Sequence, residues 1–440
     1  MTNELYGELR KIPLLDAHTH IDASHMSARG LHDILLYHMV ISDLYSAGCP
    51  DGHRLSEEPD EAETETRIKN ALPYIKYIKN TSCYWGMRIL LLDLYGWEEE
   101  ITEANWRKLD AIIREKAGPK WAKEILNKAK IKRVSTELWR GYEGLHDEVF
   151  QYSLEWAFFT RNQWNTYDTA LLELEHAWNQ DTPGAPLGVT ADKEALNFKK
   201  KIKDIDDVTE AVSHYCDKIP YEKIISTASH LSTDIAYAPA SREQMTDALK
   251  NRANAGEKER DIYANYINEL YYKALSEKAA KIMLNYSIGA EPLPYESGSK
   301  LRTETVFELA ALMDRYKNLN FSFYLSSLHQ NQALCTLARE LPNVSLTAYW
   351  WHNFFPNSIR QLISQRLDML PANKQVGFFS DAYCVDWAYA KAEIVRRQLA
   401  EVLAEKVAQS QYSFESALAT AKQIVYETPQ ELCYMVPSEF

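Results

Sequence analysis

Asp16-Ala17-His18-Thr19-His20 follows the apolar run Ile12-Pro13-Leu14-Leu15 near the start of the chain. Strand side chains alternate, so Asp16, His18 and His20 would project to one side of an extended backbone, where two imidazoles can reach one divalent ion. With 12 histidines in 440 residues, random order would give about 0.3 His-x-His pairs per chain, and about 0.02 with Asp two positions earlier. The pattern therefore points to a strand that ends in a metal site rather than to two polar residues that merely bond locally.

Other groups that could complete such a site also follow short apolar runs. His230, His329 and His352 come just after three of them, and Asp381 closes Val376-Gly377-Phe378-Phe379-Ser380. Imidazole and carboxylate together suit zinc first, with manganese or iron as alternatives. A carboxylate at Asp381 could bind the metal or accept a proton, and its competing role is a helix cap.

These residues require a scaffold that brings strand ends together. Runs at 12–17, 133–137, 150–159, 223–229, 281–288, 320–326, 344–350 and 375–380 read as eight strands, the second and third being the least distinct. Helical periodicity at 304–316, 331–339 and 358–369 separates the later ones. Strand and helix alternating eight times predict an α/β (β/α)8 TIM barrel, whose active site lies at the C-terminal ends of the strands. More than a hundred residues separate the first two strands, with helical patterns at 27–45, 64–80, 101–117 and 121–129 and a turn-rich stretch at 48–60. We therefore expect a barrel formed by 1–24 and 129–440, with a helical insertion at 25–128 over the mouth. Residues 241–278 should cover the barrel outside, and 385–428 should be helical, ended by Pro429.

Composition narrows the function. The chain is 46% apolar and 25% charged with a net charge of −13, and Lys199-Lys200-Lys201 is its densest basic run. Nucleic acid and membrane are poor partners for such a chain. Six dispersed cysteines without a Cys-x-x-Cys pair read as reduced thiols in a cytoplasmic protein, and the first ten residues do not resemble a signal peptide. The 27 tyrosines and 11 tryptophans, many near strand ends, suit a cleft for a small, carbohydrate-like ligand. Self-association is left open.

Asp16-Ala17-His18-Thr19-His20, Leu35-Leu36-Tyr37-His38, Tyr349-Trp350-Trp351 and Ser380-Asp381 together resemble the amidohydrolase superfamily, and within it the uronate isomerase branch. The likeness is clearest over 10–45 and from about 280 onward. It implies one divalent metal held by His18, His20 and Asp381, with Asp381 doubling as the base and His38 near the substrate. It also implies aldose-ketose isomerisation of hexuronates by proton transfer between C1 and C2. The chain departs from the family at the substrate carboxylate. Met39 stands where the family has Tyr, Tyr383 where it has an Arg, and Glu155 where a second carboxylate-binding Arg is expected, with Arg161 as a replacement cation. Trp350, Trp351 and His352 would line the substrate cleft.

Three readings follow. An isomerase would use Asp381 to move a proton between adjacent carbons of a sugar or sugar acid. A hydrolase of an ester, lactone or amide would use Asp381 to take a proton from an activated water, with His230 or His329 polarising the carbonyl. The third reading is a non-catalytic sugar-binding relative.

Overall fold

Eight short strands form one parallel sheet in sequence order: β1 (Leu14–Asp16), β2 (Ile131–Glu137), β3 (Phe150–Glu155), β4 (Ile224–His230), β5 (Met283–Ile288), β6 (Asn320–Leu325), β7 (Val344–Thr347) and β8 (Gln375–Val376). This computed structural model describes residues 1–50, 61–141, 148–160, 167–181, 187, 196–230, 237–278, 281–288, 304–325, 328–350, 354–433 and 435. Each strand lies within or close to the run read from the sequence. β2 and β3 are separate strands, and β3 gives way at Trp156–Phe159 to a 3-10 turn.

The two edges of the sheet are drawn together just past β1 and β8. Ala17 N–H donates to Phe378 O at 3.5 Å, Asp381 N–H to His18 O at 2.9 Å and His20 N–H to Ala382 O at 2.9 Å. Asp16 contributes here rather than beside the histidines, since its Oδ1 accepts the Ser380 N–H at 2.7 Å. The result is a TIM-barrel-like α/β fold.

The two faces of the sheet differ in composition. The face that carries Glu137, Glu155 and Tyr324 also holds Ser153, Ser226, Asn285 and Ser322 in register, and Ser322 Oγ meets Thr347 Oγ1 at 2.5 Å. On the other face Tyr286 and Phe321 pack beneath Tyr272 of the helix Glu257–Glu277, whose hydroxyl bonds that of Tyr286. The outer helices thus bury aromatic surface, which leaves the strand ends around the site polar.

Helices Glu304–Arg315, Asn331–Glu340 and Pro356–Met369 follow β5, β6 and β7 as the periodicity predicts. The β1–β2 connection carries Leu31–Leu35, His38–Ser46, Glu61–Ala71, Ser82–Tyr95, Trp106–Lys116 and Pro119–Ala129. The single helical pattern at 27–45 is broken at Leu36 and Tyr37, and Tyr37 is extended with φ −64 and ψ 140. Pro429 starts the last helix, Thr428–Leu432, instead of ending one, because a first-turn proline loses no helical hydrogen bond. All six cysteines are buried and free. Among the described residues, no helix is long and apolar enough to cross a membrane.

Candidate metal centre

His18 and His20 lie on the extended segment that leaves β1. Between them Thr19 turns the other way, with its N–H and hydroxyl both donating to Ser135 O on β2, at 2.7 and 2.8 Å. This alternation aims both imidazoles at one point, their rings 4.8 Å apart and nearly perpendicular.

Asp381 reaches the same point from the segment after β8. Its Oδ1 stands 3.4 Å from His18 Nε2 and 3.3 Å from His20 Nε2. Metal bonds of about 2.0–2.2 Å in a tetrahedral array would separate ligand atoms by about 3.4 Å, so these spacings fit the edge of a coordination shell. His18 is buried, and its Nε2 makes no well-formed hydrogen bond among the described residues, as expected of an atom reserved for an ion. Among the described residues, these three form the one cluster of His, Cys, Asp or Glu with metal-holding geometry.

The surrounding charges favour a cation. Burial alone would raise Asp381, yet the neighbouring His18 and His20 imidazoles hold its carboxyl well below the usual range. Burial would likewise lower His20, but Glu137 and Asp381 outweigh it and push the imidazole up to about 10. A positive charge is thus stabilised where the ligand atoms converge.

Glu137, the last residue of β2, supports the site although the sequence reading did not single it out. Its Oε1 bonds His20 Nδ1, and its Oε2 lies 3.1 Å from Arg140 Nε. Burial opposes its ionisation, but His20 and Arg140 hold its pKa low. The signal was available, because a carboxylate ending a strand is what marked Asp381. Tyr324 was also missed; it lies on β6 with its ring 5.5 Å from that of His18, and its buried hydroxyl has no hydrogen-bond partner among the described residues.

The other predicted residues divide into three groups. Tyr383 and His38 come close to the triad: Tyr383 stacks on His20 at 5.0 Å, and the His38 ring is 5.3 Å from Tyr383. Burial lowers His38 to about 3, which keeps it neutral. Glu155 ends β3, where burial and the charge of Glu137 raise its carboxyl well above the ordinary range. Met39 is buried, and Trp350 is buried just after β7 with φ 22.

His230 and His329 make up the second group. His230 is the last residue of β4, paired in register with Ser287. His329 is exposed, on the 3-10 turn Leu328–Gln330 after β6. In the third group, Arg161, Trp351 and His352 lie outside the described residues.

Comparison with known proteins agrees with this architecture. No family model matches the sequence. A uronate isomerase of Phenylobacterium zucineum is 29% identical over 133 residues, a stretch that spans 29% of this chain and 28% of that protein. Uronate isomerase of Thermotoga maritima superposes with a TM-score of 0.75 at 13% identity, covering 98% of this chain and 96% of that one. Glucuronate isomerase of Caulobacter crescentus gives 0.75 at 15% identity over 99% and 94% of the two chains. Uronate isomerase of Bacillus halodurans gives 0.71 at 15% identity over 99% and 97%. At such identities the likeness is one of fold, and the chain shares the fold of the uronate isomerases over nearly its whole length.

Proposed function

We propose that this protein is a metal-dependent enzyme of the amidohydrolase superfamily, of the uronate isomerase type, that interconverts aldose and ketose forms of a sugar or sugar acid. The observation that carries this reading is the position of Asp381 Oδ1, 3.4 and 3.3 Å from two histidine Nε2 atoms at the strand ends of this fold. His18, His20 and Asp381 would hold one divalent ion, zinc ahead of manganese or iron. When bound, the ion would supply Lewis-acid polarisation of a sugar oxygen.

The protein's own groups supply the rest. Asp381, kept ionised, accepts the proton from the carbon beside the carbonyl and returns it to the former carbonyl carbon, while the hydroxyl proton of the first carbon passes to the former carbonyl oxygen. Glu137 fixes the His20 ring. His38, kept neutral, offers a hydrogen bond to a substrate hydroxyl, and Tyr383 stacks against His20 to form one wall. His230, which ends β4, is proposed as a further polar group for the substrate. Residues 25–128 act as an insertion over the mouth of a barrel built from 1–24 and 129–440, a role supported by the approach of Tyr37 and His38 to the site. Excluding water protects the proton in transfer.

Among the described residues Arg140 is a cation close to Tyr383, with its guanidinium 5.7 Å over that ring. The substrate is therefore read as a small carbohydrate with at most one acidic group. Buried free cysteines support a reducing, cytoplasmic setting.

Incubating aldose and ketose sugars and uronates with the protein in deuterated water tests the function. Metal-dependent deuterium uptake beside the carbonyl without bond cleavage is expected. Metal-dependent cleavage of lactones or esters without such uptake would replace this reading with a hydrolase, and a wild type that binds no divalent ion would exclude both.

A further inference from the structure

Asp381 has φ 54, in the left-handed region that few residues other than glycine adopt. Both of its backbone polar groups are held. Its N–H donates to His18 O at 2.9 Å, and its carbonyl accepts from the Tyr37 hydroxyl at 2.7 Å. Behind Tyr37 lies Lys391, whose Nζ donates to the Tyr37 hydroxyl at 2.8 Å and stands 3.5 Å from the same Asp381 carbonyl.

The two residues come from distant parts of the chain. Tyr37 occupies the extended break between Leu31–Leu35 and His38–Ser46, whereas Lys391 lies on the long helix Val385–Ala408. Both are almost completely buried, at 2% and 1% exposure. Among the described residues, no carboxylate lies within ion-pair distance of Lys391 Nζ, and its charge is met by the Tyr37 hydroxyl and the rings of Tyr37 and Phe354, at 5.2 and 4.6 Å. A buried ammonium without a carboxylate partner is costly, and an apolar side chain of similar length would fill the space more cheaply. The lysine therefore needs a reason beyond packing.

We infer that Lys391 and Tyr37 are positioning residues: they clamp the Asp381 carbonyl, hold its backbone in the left-handed turn and thereby aim its carboxylate at His18 and His20, which sets the affinity of the centre for a divalent ion. The ammonium polarises the Tyr37 hydroxyl and strengthens the bond that it donates. Without the clamp the Asp381 peptide can relax toward ordinary φ, which swings Oδ1 away from the two imidazoles. The inference rests on the metal reading above but not on the reaction.

The test uses the full-length, metal-stripped protein. Zinc and cobalt(II) affinities are measured by calorimetry, and the visible spectrum of the cobalt form is recorded, for wild type, Tyr37→Phe, Lys391→Met and the double variant. Each single variant should bind about 10–100-fold more weakly with an altered cobalt spectrum. The double variant should lose about as much as the weaker single one, because the two residues act in series. Tyr95→Phe is the control. It removes another buried hydroxyl, bonded to Asp386 at 2.5 Å, and should lower stability while leaving metal affinity and spectrum unchanged. Unchanged affinity in Tyr37→Phe and Lys391→Met, or an equal loss in Tyr95→Phe, overturns the inference while the metal site stands. A wild type without affinity for either ion removes both.

Discussion

Glu137 bonds the Nδ1 of His20, and that contact decides which nitrogen of the ring is left to face Asp381. When the ring is neutral, as a metal ligand must be, an ionised carboxylate accepting at Nδ1 keeps the proton there and leaves the lone pair at Nε2, the atom 3.3 Å from Asp381 Oδ1. The last residue of β2 thus controls the orientation and basicity of a residue that follows β1.

Glu137→Gln keeps the shape but loses the charge, and it can present either end of its amide to the ring. Metal affinity should fall about 10–100-fold while the fold survives. Calorimetric titration of metal-stripped protein with zinc, beside a far-ultraviolet spectrum, measures both. Unchanged affinity would show that Arg140 and Asp381 orient the ring unaided.

Glu155 has the opposite electrostatic character. Burial and the neighbouring Glu137 charge raise its carboxyl well above the ordinary range, whereas in the unfolded chain it ionises near about pH 4.3. Above that pH the folded state keeps a proton that the unfolded state has lost, so this residue's contribution to stability falls as pH rises toward its folded pKa. Glu155→Gln resembles the protonated form at all pH values. In metal-stripped protein its melting temperature should match wild type near about pH 4 and exceed it increasingly toward neutrality. Parallel melting curves across that range would refute a protonated Glu155.

How far the site was legible depended on whether the signal was local. The strands were readable because each is a short apolar run whose ends carry polar groups, and the triad because His18, His20 and Asp381 sit at such ends. Lys391 was not readable, since the helix Val385–Ala408 buries nearly its whole circumference, including Glu393 and Arg396, and no single-face periodicity marks which charge turns inward. Ser82–Tyr95 escaped for the same reason: Cys83, Met87, Leu90, Leu91 and Leu94 leave no polar stripe, although Thr81 caps its start and Gly96, at φ 64, ends it. The break at Tyr37 is a tertiary effect, in which the hydroxyl's bond to the Asp381 carbonyl competes with continuation of the helix.

Gly141 tests how tightly the Glu137–Arg140 segment is seated. It ends the turn Leu138–Gly141, and a Cβ there would lie 1.9 Å from Cε1 of Tyr152, a buried β3 side chain. Gly141→Ala should therefore cost about 1–3 kcal/mol of stability. Gly7, in the helix Thr2–Leu9 with open space around its Cβ position, should respond oppositely, gaining about 0.5–1 kcal/mol as Ala. Urea unfolding midpoints at constant slope compare the two, and a neutral Gly141→Ala would mean that Tyr152 yields freely.

Lys391 leads to a prediction about pH that is independent of metal affinity. Burial pushes its ammonium down to about 8, against about 10.4 in an unfolded chain. Below about pH 8 both states carry the proton, and the folded protein bears the full cost of burying the charge. Between about pH 8 and 10 the folded state has released the proton while the unfolded state retains it, so stability from this group rises with pH. A shift of this size corresponds to about 3 kcal/mol over the whole window. Lys391→Met has no such proton to release. Its stability relative to wild type should therefore decline from about pH 8 to pH 10, as the wild type sheds a cost that the variant never bore. Urea unfolding in the presence of chelator across that range reads the difference directly, and other titrating groups shared by the two proteins cancel in it. A constant difference would mean that the ammonium keeps its proton throughout, with the Tyr37 hydroxyl and the two aromatic rings sufficient to solvate it.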